Sequence, residues 1–256
     1  MTVSARSTSA VSAEAAVVIS VRPPMLFVLP WTLAGVLLAA VGFVLLDWQA
    51  AGTADSLELQ LIRWTRVDGQ PELISGPPIV QEIARDLTAL GGYAVLVLVS
   101  VLFAGFLLAE VGVGEFGFFS GLVWSGYFLV MLMKRSFLRM RPEIVPHLSL
   151  AGGATSFPSA HAMMSLIVYA AIGLLLSARV RSHRLQRLFT VFPLLLSGVV
   201  GATRVCMGVH YPTDVLAGWA AGLLWTWVWF ELRARLQLRP EAASVAMGNI
   251  AEGESE

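Results

Sequence analysis

The sequence predicts an all-α polytopic membrane protein, six transmembrane helices in a bundle, and three observations support that expectation. Of 256 residues, 57% are hydrophobic and only 13% charged, whereas a soluble domain carries about a quarter charged residues. Mean hydropathy is +0.75. The apolar residues gather into charge-poor runs of the right length, since a hydrocarbon layer of about 30 Å takes about 20 helical residues to cross. Basic residues concentrate in alternate connections between those runs, as orientation by positive charge requires.

The elements follow in order. Residues 1–24 are Ser/Ala-rich without a readable motif and are expected to be a disordered cytoplasmic N-terminus. Met25–Leu46 is the first span, with 22 residues and no charge, too long for a signal-peptide core of about 7 to 15 residues. The connection 47–86 is expected to be external. Within it Leu57, Leu61 and Trp64, then Ile79, Ile83 and Leu87, recur at helical spacing, which suggests amphipathic helices on the outer surface. Leu87–Ala109 is the second span, and Phe116–Met133 the third, bounded by Glu115 and Lys134. The fourth, Pro158–Ala178, carries a histidine near its start. The fifth, Leu188–Ala202, is short and contains Pro193. The sixth, Val215–Phe230, holds Trp219, Trp225, Trp227 and Trp229, a residue type favoured at the membrane interface. The membrane domain thus covers 25–232 and a cytoplasmic tail 233–256, expected to be disordered after Arg239. Gly117 with Gly121, and Gly218 with Gly222, are spaced for close helix packing.

Seventeen Lys+Arg cancel seventeen Asp+Glu, so net charge supplies no case for a nucleic-acid partner. The single cysteine, Cys206, excludes an intramolecular disulfide and a multi-cysteine metal site, and reads as a packing residue. Charge distribution is more informative than the sum. With six spans, Arg6, Arg22, Arg179, Arg181, Arg184, Arg187, Arg233, Arg235 and Arg239 share one face, which should be cytoplasmic. The long first connection on the other face holds seven acids against three arginines. Lys134, Arg135, Arg139, Arg141 and Arg204 lie on that outer face and break the pattern. Interfacial snorkelling accounts for Arg135 and Arg139. The others point to an anion site, because they lie beside His161 and His210, the histidines of this face that abut spans. His147 and His183 fall in loops and read as solvent-exposed.

Three clusters carry the chemistry. Lys134 and Arg141 are seven positions apart, so on a helix both would project to one side, offering a point charge and a planar fork to phosphoryl oxygens. In Ser156-Phe157-Pro158-Ser159-Ala160-His161, proline suits a helix's first turn. Ser159, Ala160 and His161 would then meet an anion with free amides and the helix dipole, together with a hydroxyl and a titratable ring. In Thr203-Arg204 through His210-Tyr211-Pro212-Thr213-Asp214, the carboxylate four residues after the histidine can hold one imidazole nitrogen protonated and leave the other free to attack. All three clusters occupy odd-numbered connections, so hydropathy alone places them at one membrane face. Such a constellation suits phosphoryl transfer, where catalysis is mainly positioning and charge stabilisation.

Lys134 with six residues before Arg141-Pro142, then Pro158-Ser159-Ala160-His161, then Thr203-Arg204 with five residues before His210 and three before Asp214, resembles the three-part signature of the type 2 phosphatidic acid phosphatase family, related to vanadium haloperoxidases. Two positions depart: Ala160 stands where the family usually has glycine, and Thr203 where it usually has serine. Alanine keeps the amide donor and threonine the hydroxyl, so activity should survive both. The resemblance implies that His210 is a nucleophile forming a phosphohistidine, oriented by Asp214, and that His161 protonates the leaving oxygen and then activates water. It implies that Lys134, Arg141, Ser159, the Ala160 amide and Arg204 hold phosphoryl oxygens, with no metal and no cofactor. The expected substrate is a lipid phosphate or diphosphate among membrane lipids, undecaprenyl diphosphate first, then phosphatidic acid or phosphatidylglycerol phosphate, with the site on the external face of a cytoplasmic membrane. A lipid phosphotransferase shares the first half-reaction, and a non-catalytic lipid transporter or binding protein would share only the anion site. A haloperoxidase is disfavoured by the six spans.

Overall fold

The structure is a computed structural model that describes residues 56–149 and 153–253. The expected first span, Met25–Leu46, and the N-terminal segment 1–24 lie outside the described residues. Helix α1 covers Leu57–Trp64, followed by strands β1, Arg66–Val67, and β2, Gln70–Ile74, then helices α2, Ile79–Ala89, α3, Tyr93–Glu110, and α4, Val113–Ser136. Helices α5, Ala160–Ser177, α6, His183–Cys206, and α7, Pro212–Gly253, complete the order. Five of these helices are long and apolar enough to cross a membrane, α7 through its Pro212–Leu236 portion.

Several boundaries differ from the expectation, each for a local reason. The run Leu87–Ala109 is two helices. Gly91 and Gly92 separate α2 from α3, with Gly92 extended at the start of α3. A Cβ on Gly91 would lie 2.3 Å from Val200 and 3.3 Å from the His161 ring, so only glycine lets the chain cross α5 and α6 there. Pro158 lies just outside α5, because Ser159 takes the extended cap position and Ala160 begins the helix. Helix α6 has 24 residues, longer than Leu188–Ala202, and absorbs Pro193. Proline cannot donate to the carbonyl four residues back, and that carbonyl, on Phe189, packs where a Cβ of Gly173 would stand only 2.0 Å away. His183 therefore begins a helix instead of lying in a loop. The backbone of α7 stays helical beyond Arg239, in place of the disordered tail expected there; Glu241, Ala242, Ala243, Ala246 and Met247 are mostly strong helix formers.

The expected surface helices of the first connection are α1 and α2, but a hairpin joins them. Val67 pairs with Gln70 across Asp68-Gly69, and Gly69 has φ 76°, the positive φ that a two-residue Asp-Gly turn demands. Helix α1 also packs by an unexpected face: Glu58 and Ile62 are buried while Trp64 is exposed.

Helix α5 forms the centre of the bundle. Of its span 72% is buried, against 17% for α3. Its Met163, Ile167, Ala171, Leu174 and Leu175 share one core with Phe119, Leu122 and Val130 of α4 and Leu223 and Phe230 of α7. Leu98, Val101 and Leu102 of α3, Trp124 and Phe128 of α4, and Leu195 of α6 are exposed, an apolar exterior suited to lipid. Close packing at glycine holds for Gly121 against the Trp229 ring and for Gly218 and Gly222 against the α5 backbone, but Gly117 has no neighbour within 4 Å of a Cβ. Because consecutive spans alternate in direction, the C-terminal ends of α4 and α6 and the N-terminal ends of α5 and α7 meet at one end of the bundle.

Candidate active site

Lys134 sits in the last turn of α4, where its ammonium donates to the carbonyls of Thr155 at 3.2 Å and Ser156 at 3.5 Å. The expected common helical face of Lys134 and Arg141 does not exist. Helix α4 ends at Ser136, Phe137 is extended, and Met140 forms a bridge with Thr155. Proline disfavours helix in the residue before it, so Arg141-Pro142 arrives on extended chain. Arg141 is fixed there by Nε to the Gly153 carbonyl at 2.9 Å and Nη1 to the Val209 carbonyl at 2.7 Å. Nη1 also lies 3.2 Å from His210 Nε2.

That contact fixes a tautomer. A guanidinium only donates, so His210 Nε2 accepts, and the neutral ring carries its proton on Nδ1. Nδ1 faces Asp214 Oδ2 across a long 3.4 Å contact. The same Oδ2 accepts from the Tyr211 amide at 2.9 Å. Tyr211 precedes Pro212, the first residue of α7, and Asp214 reaches back to it as in a capping box. Helix start and histidine orientation therefore depend on one carboxylate. His210 is 2% exposed and Asp214 0%. Burial pushes the His210 imidazole down to about 4 against the raising effect of Asp214, so the ring is neutral at neutral pH. Burial also lowers the Arg141 guanidinium, opposed by Asp214.

Helix α5 brings its N-terminus to this pair. The Ser159 amide donates to the Asp214 carbonyl at 2.9 Å, and the first helical bond runs from Met163 to Ser159. The amides of Ala160, His161 and Ala162 thus belong to the turn that has no helical acceptor. The Ser159 hydroxyl is buried without a hydrogen-bond partner, as is Arg204 Nε. Arg204, 2% exposed in the last turn of α6, uses Nη1 to donate to Thr88 Oγ1 at 2.9 Å and Ser149 Oγ at 3.1 Å. The charged groups around His161 are Arg204, Arg141 and Lys134, with the neutral His210 ring beside them. Every residue singled out by sequence, Lys134, Arg141, Ser159, Ala160, His161, Arg204, His210 and Asp214, lies at this one end.

Two further charged groups that sequence did not single out, Arg139 and Glu58, reach the site, and Arg66 packs against the end of α6. Arg139 does not snorkel: Nη1 donates to Asp214 Oδ1 at 2.9 Å and to Thr213 Oγ1 at 2.7 Å, Nη2 pairs with Glu58, and the guanidinium stacks 3.9 Å over the Tyr211 ring. Glu58 comes from α1 and receives the Thr213 amide at 3.2 Å as well as its hydroxyl. Arg66 of β1 is buried and donates to the Cys206 carbonyl. Glu58 lies on the Ile62 side of α1, one position off the Leu57, Leu61 and Trp64 stripe, so periodicity did not mark it, and nothing in sequence marked Arg66. His147, exposed, donates to the Pro142 carbonyl, and exposed His183 begins α6, so neither joins the site. No group of three or more His, Cys, Asp or Glu side chains able to hold a metal ion occurs among the described residues. A cavity of about 410 Å³ lined by Glu115, Phe118, Trp229 and Arg233 lies at the other end of the bundle.

Comparison with known proteins bears on family and fold. The model of the PAP2 superfamily matches residues 115–237. A lipid A 1-phosphatase of Rhizobium etli is 30% identical over 213 residues, 73% of this chain and 83% of the relative. Phosphatidylglycerophosphatase B of Bacillus subtilis is 27% identical over 158 residues, 57% and 72% of the two chains. Among solved structures, the transmembrane PAP2 type phosphatidylglycerolphosphate phosphatase of Bacillus subtilis superposes with a TM-score of 0.61 at 21% identity, covering 77% of this chain and 96% of that one. Aquifex aeolicus LpxE gives 0.52 at 20% identity, covering 69% and 96%. With its site built at the ends of four apolar helices and its sequence matched from α4 through α7, the chain belongs to the PAP2 superfamily and is a membrane phosphatase of that family.

Proposed function

We propose that this phosphatase removes the terminal phosphate of a membrane lipid through a phosphohistidine on His210. The observation that carries the reading is the His210 ring. Asp214 lies on its Nδ1 side and Arg141 holds Nε2 as an acceptor, beside the buried, unpartnered hydroxyl of Ser159. The Nε2 lone pair attacks phosphorus, the bond from phosphorus to the lipid oxygen breaks, and His161 gives that oxygen a proton. Water then attacks the phosphohistidine, its proton passes to His161, and the phosphorus–nitrogen electron pair returns to Nε2 as phosphate leaves. Arg141 moves from Nε2 onto a phosphoryl oxygen. Lys134, Arg204, Ser159 Oγ and the Ala160 amide bind the others.

An amphiphilic substrate suits the placement, because a headgroup reaches the polar end of the bundle while its hydrocarbon stays beside apolar helices. The names of the relatives set phosphatidylglycerol phosphate and a lipid A 1-phosphate beside undecaprenyl diphosphate and phosphatidic acid as substrates. Arg179, Arg181, Arg184, Arg187, Arg233 and Arg235 lie at the end opposite the site, on the α5–α6 connection, early α6 and α7, which supports an external site in a cytoplasmic membrane. Phosphate release from these lipids by purified protein in EDTA, beside His210→Asn, tests the reading. Release in EDTA that is lost with His210 supports it; no release from any of them overturns it.

A further inference from the structure

Asp214 has two oxygens, and each has a separate duty. Oδ2 faces His210 and the Tyr211 amide, while Oδ1 is held by Arg139 at 2.9 Å. Arg139 is in turn fixed on three sides: by Thr213, by the Tyr211 ring at 3.9 Å, and by Glu58, 6% exposed on α1. Glu58 closes the arrangement by accepting both the amide and the hydroxyl of Thr213. The arrangement ties α1, the extended chain after α4, and the first turn of α7 into one unit. A carboxylate held through one oxygen alone, here by the Tyr211 amide and the long contact to the imidazole, can still pivot about that oxygen unless its second oxygen is engaged. Arg139 is placed to remove that freedom, and Glu58 to remove Arg139's.

We infer that Arg139 and Glu58 are positioning residues for the phosphatase reaction, acting through Asp214 to hold the His210 ring in line for attack, so that the connection preceding α3 is part of the catalytic apparatus. This rests on the phosphohistidine reading above. It also explains a basic residue on the outer face, within the Lys134–Arg141 stretch, to which the three-part signature gives no role.

The test uses the full-length protein in detergent micelles with a lipid phosphate that it turns over. For Arg139→Met, kcat should fall about 100-fold, the scale of a displacement near 1 Å between reacting groups. KM and inhibition by inorganic phosphate should stay within about threefold, because the phosphate grip is made by other residues. Glu58→Gln should give a smaller loss of the same kind, and Arg139→Lys should recover part of the rate. In an Asp214→Asn background, Arg139→Met should cost no further activity, whereas a role in folding alone would cost the same in both backgrounds. Equal losses in the two backgrounds, or a rate loss matched by weaker phosphate inhibition and a lowered unfolding temperature, overturn the inference. An unchanged kcat for Arg139→Met overturns it as well. If His210→Asn itself still releases phosphate, the phosphohistidine reading fails instead.

Discussion

Arg141 Nη1 stands 3.2 Å from His210 Nε2, so the cation expected to grip phosphate rests against the nitrogen expected to attack it. The two sites are thus one, and a single phosphoryl group in contact with both must take over the arginine's donor. Lysine at 141 would keep the charge but lose the second arm, which now holds the Gly153 carbonyl. Arg141→Lys should lower kcat/KM by about 100-fold, the usual effect of removing one donor to transition-state charge. Steady-state phosphate release measures it.

Asp214→Asn keeps size and loses charge. An amide can present its donor to Nδ1, which forces the ring proton onto Nε2 and removes the attacking lone pair. Turnover should fall by about 10³ to 10⁴-fold, as in other histidine–carboxylate pairs. Because Asp214 also accepts from the Tyr211 amide, a lower unfolding temperature should accompany the loss.

Acid affects His210 in a fixed direction. Burial holds its imidazole near 4 rather than the ordinary 6.5, so kcat/KM should fall as pH drops through about 4, where the nucleophile is protonated. Stability follows the same sign. Between 4 and 6.5 the unfolded ring binds a proton that the native ring does not, so this contribution is complete above the unfolded value and is lost as pH falls toward the native one. Thermal unfolding of the native protein and of His210→Asn across that window should show a shallower pH slope in the variant.

Gly173 and Gly117 should respond oppositely to alanine. A Cβ at 173 would meet the Phe189 carbonyl at 2.0 Å, one at 117 nothing within 4 Å. Gly173→Ala should destabilise by about 1 to 3 kcal/mol through overpacking. Gly117→Ala should be neutral or stabilise by up to about 1 kcal/mol through helix propensity. Unfolding temperatures in one detergent compare them.

Where chemistry depends on spacing along the chain, the sequence was readable. His210 with Asp214, and Ser159 through His161 at the start of α5, are local patterns whose geometry follows from helix caps. Apolar length marked the five spans among the described residues, but not their ends. Gly91-Gly92 lay inside an unbroken apolar run, and the break there arises from the close approach of Val200 and His161, residues 109 and 70 positions away along the chain. The opposite error came at Arg141, where a helical period was extended past Ser136 although Pro142 argues for extended chain. Glu58 and Arg139 are 81 positions apart, and their pairing needs the fold. On sequence alone a basic residue near a membrane helix end is an anchor, and only the buried carboxylates beside it give Arg139 another meaning.

The central claim is that His210 carries the phosphoryl group. The measurement that tests it most directly is phosphate release by purified native protein and His210→Asn, matched for unfolding temperature, from phosphatidylglycerol phosphate and undecaprenyl diphosphate in EDTA. The account predicts release by the native protein from at least one of these lipids and none above background from the variant. Release by His210→Asn at a rate near the native one would contradict it.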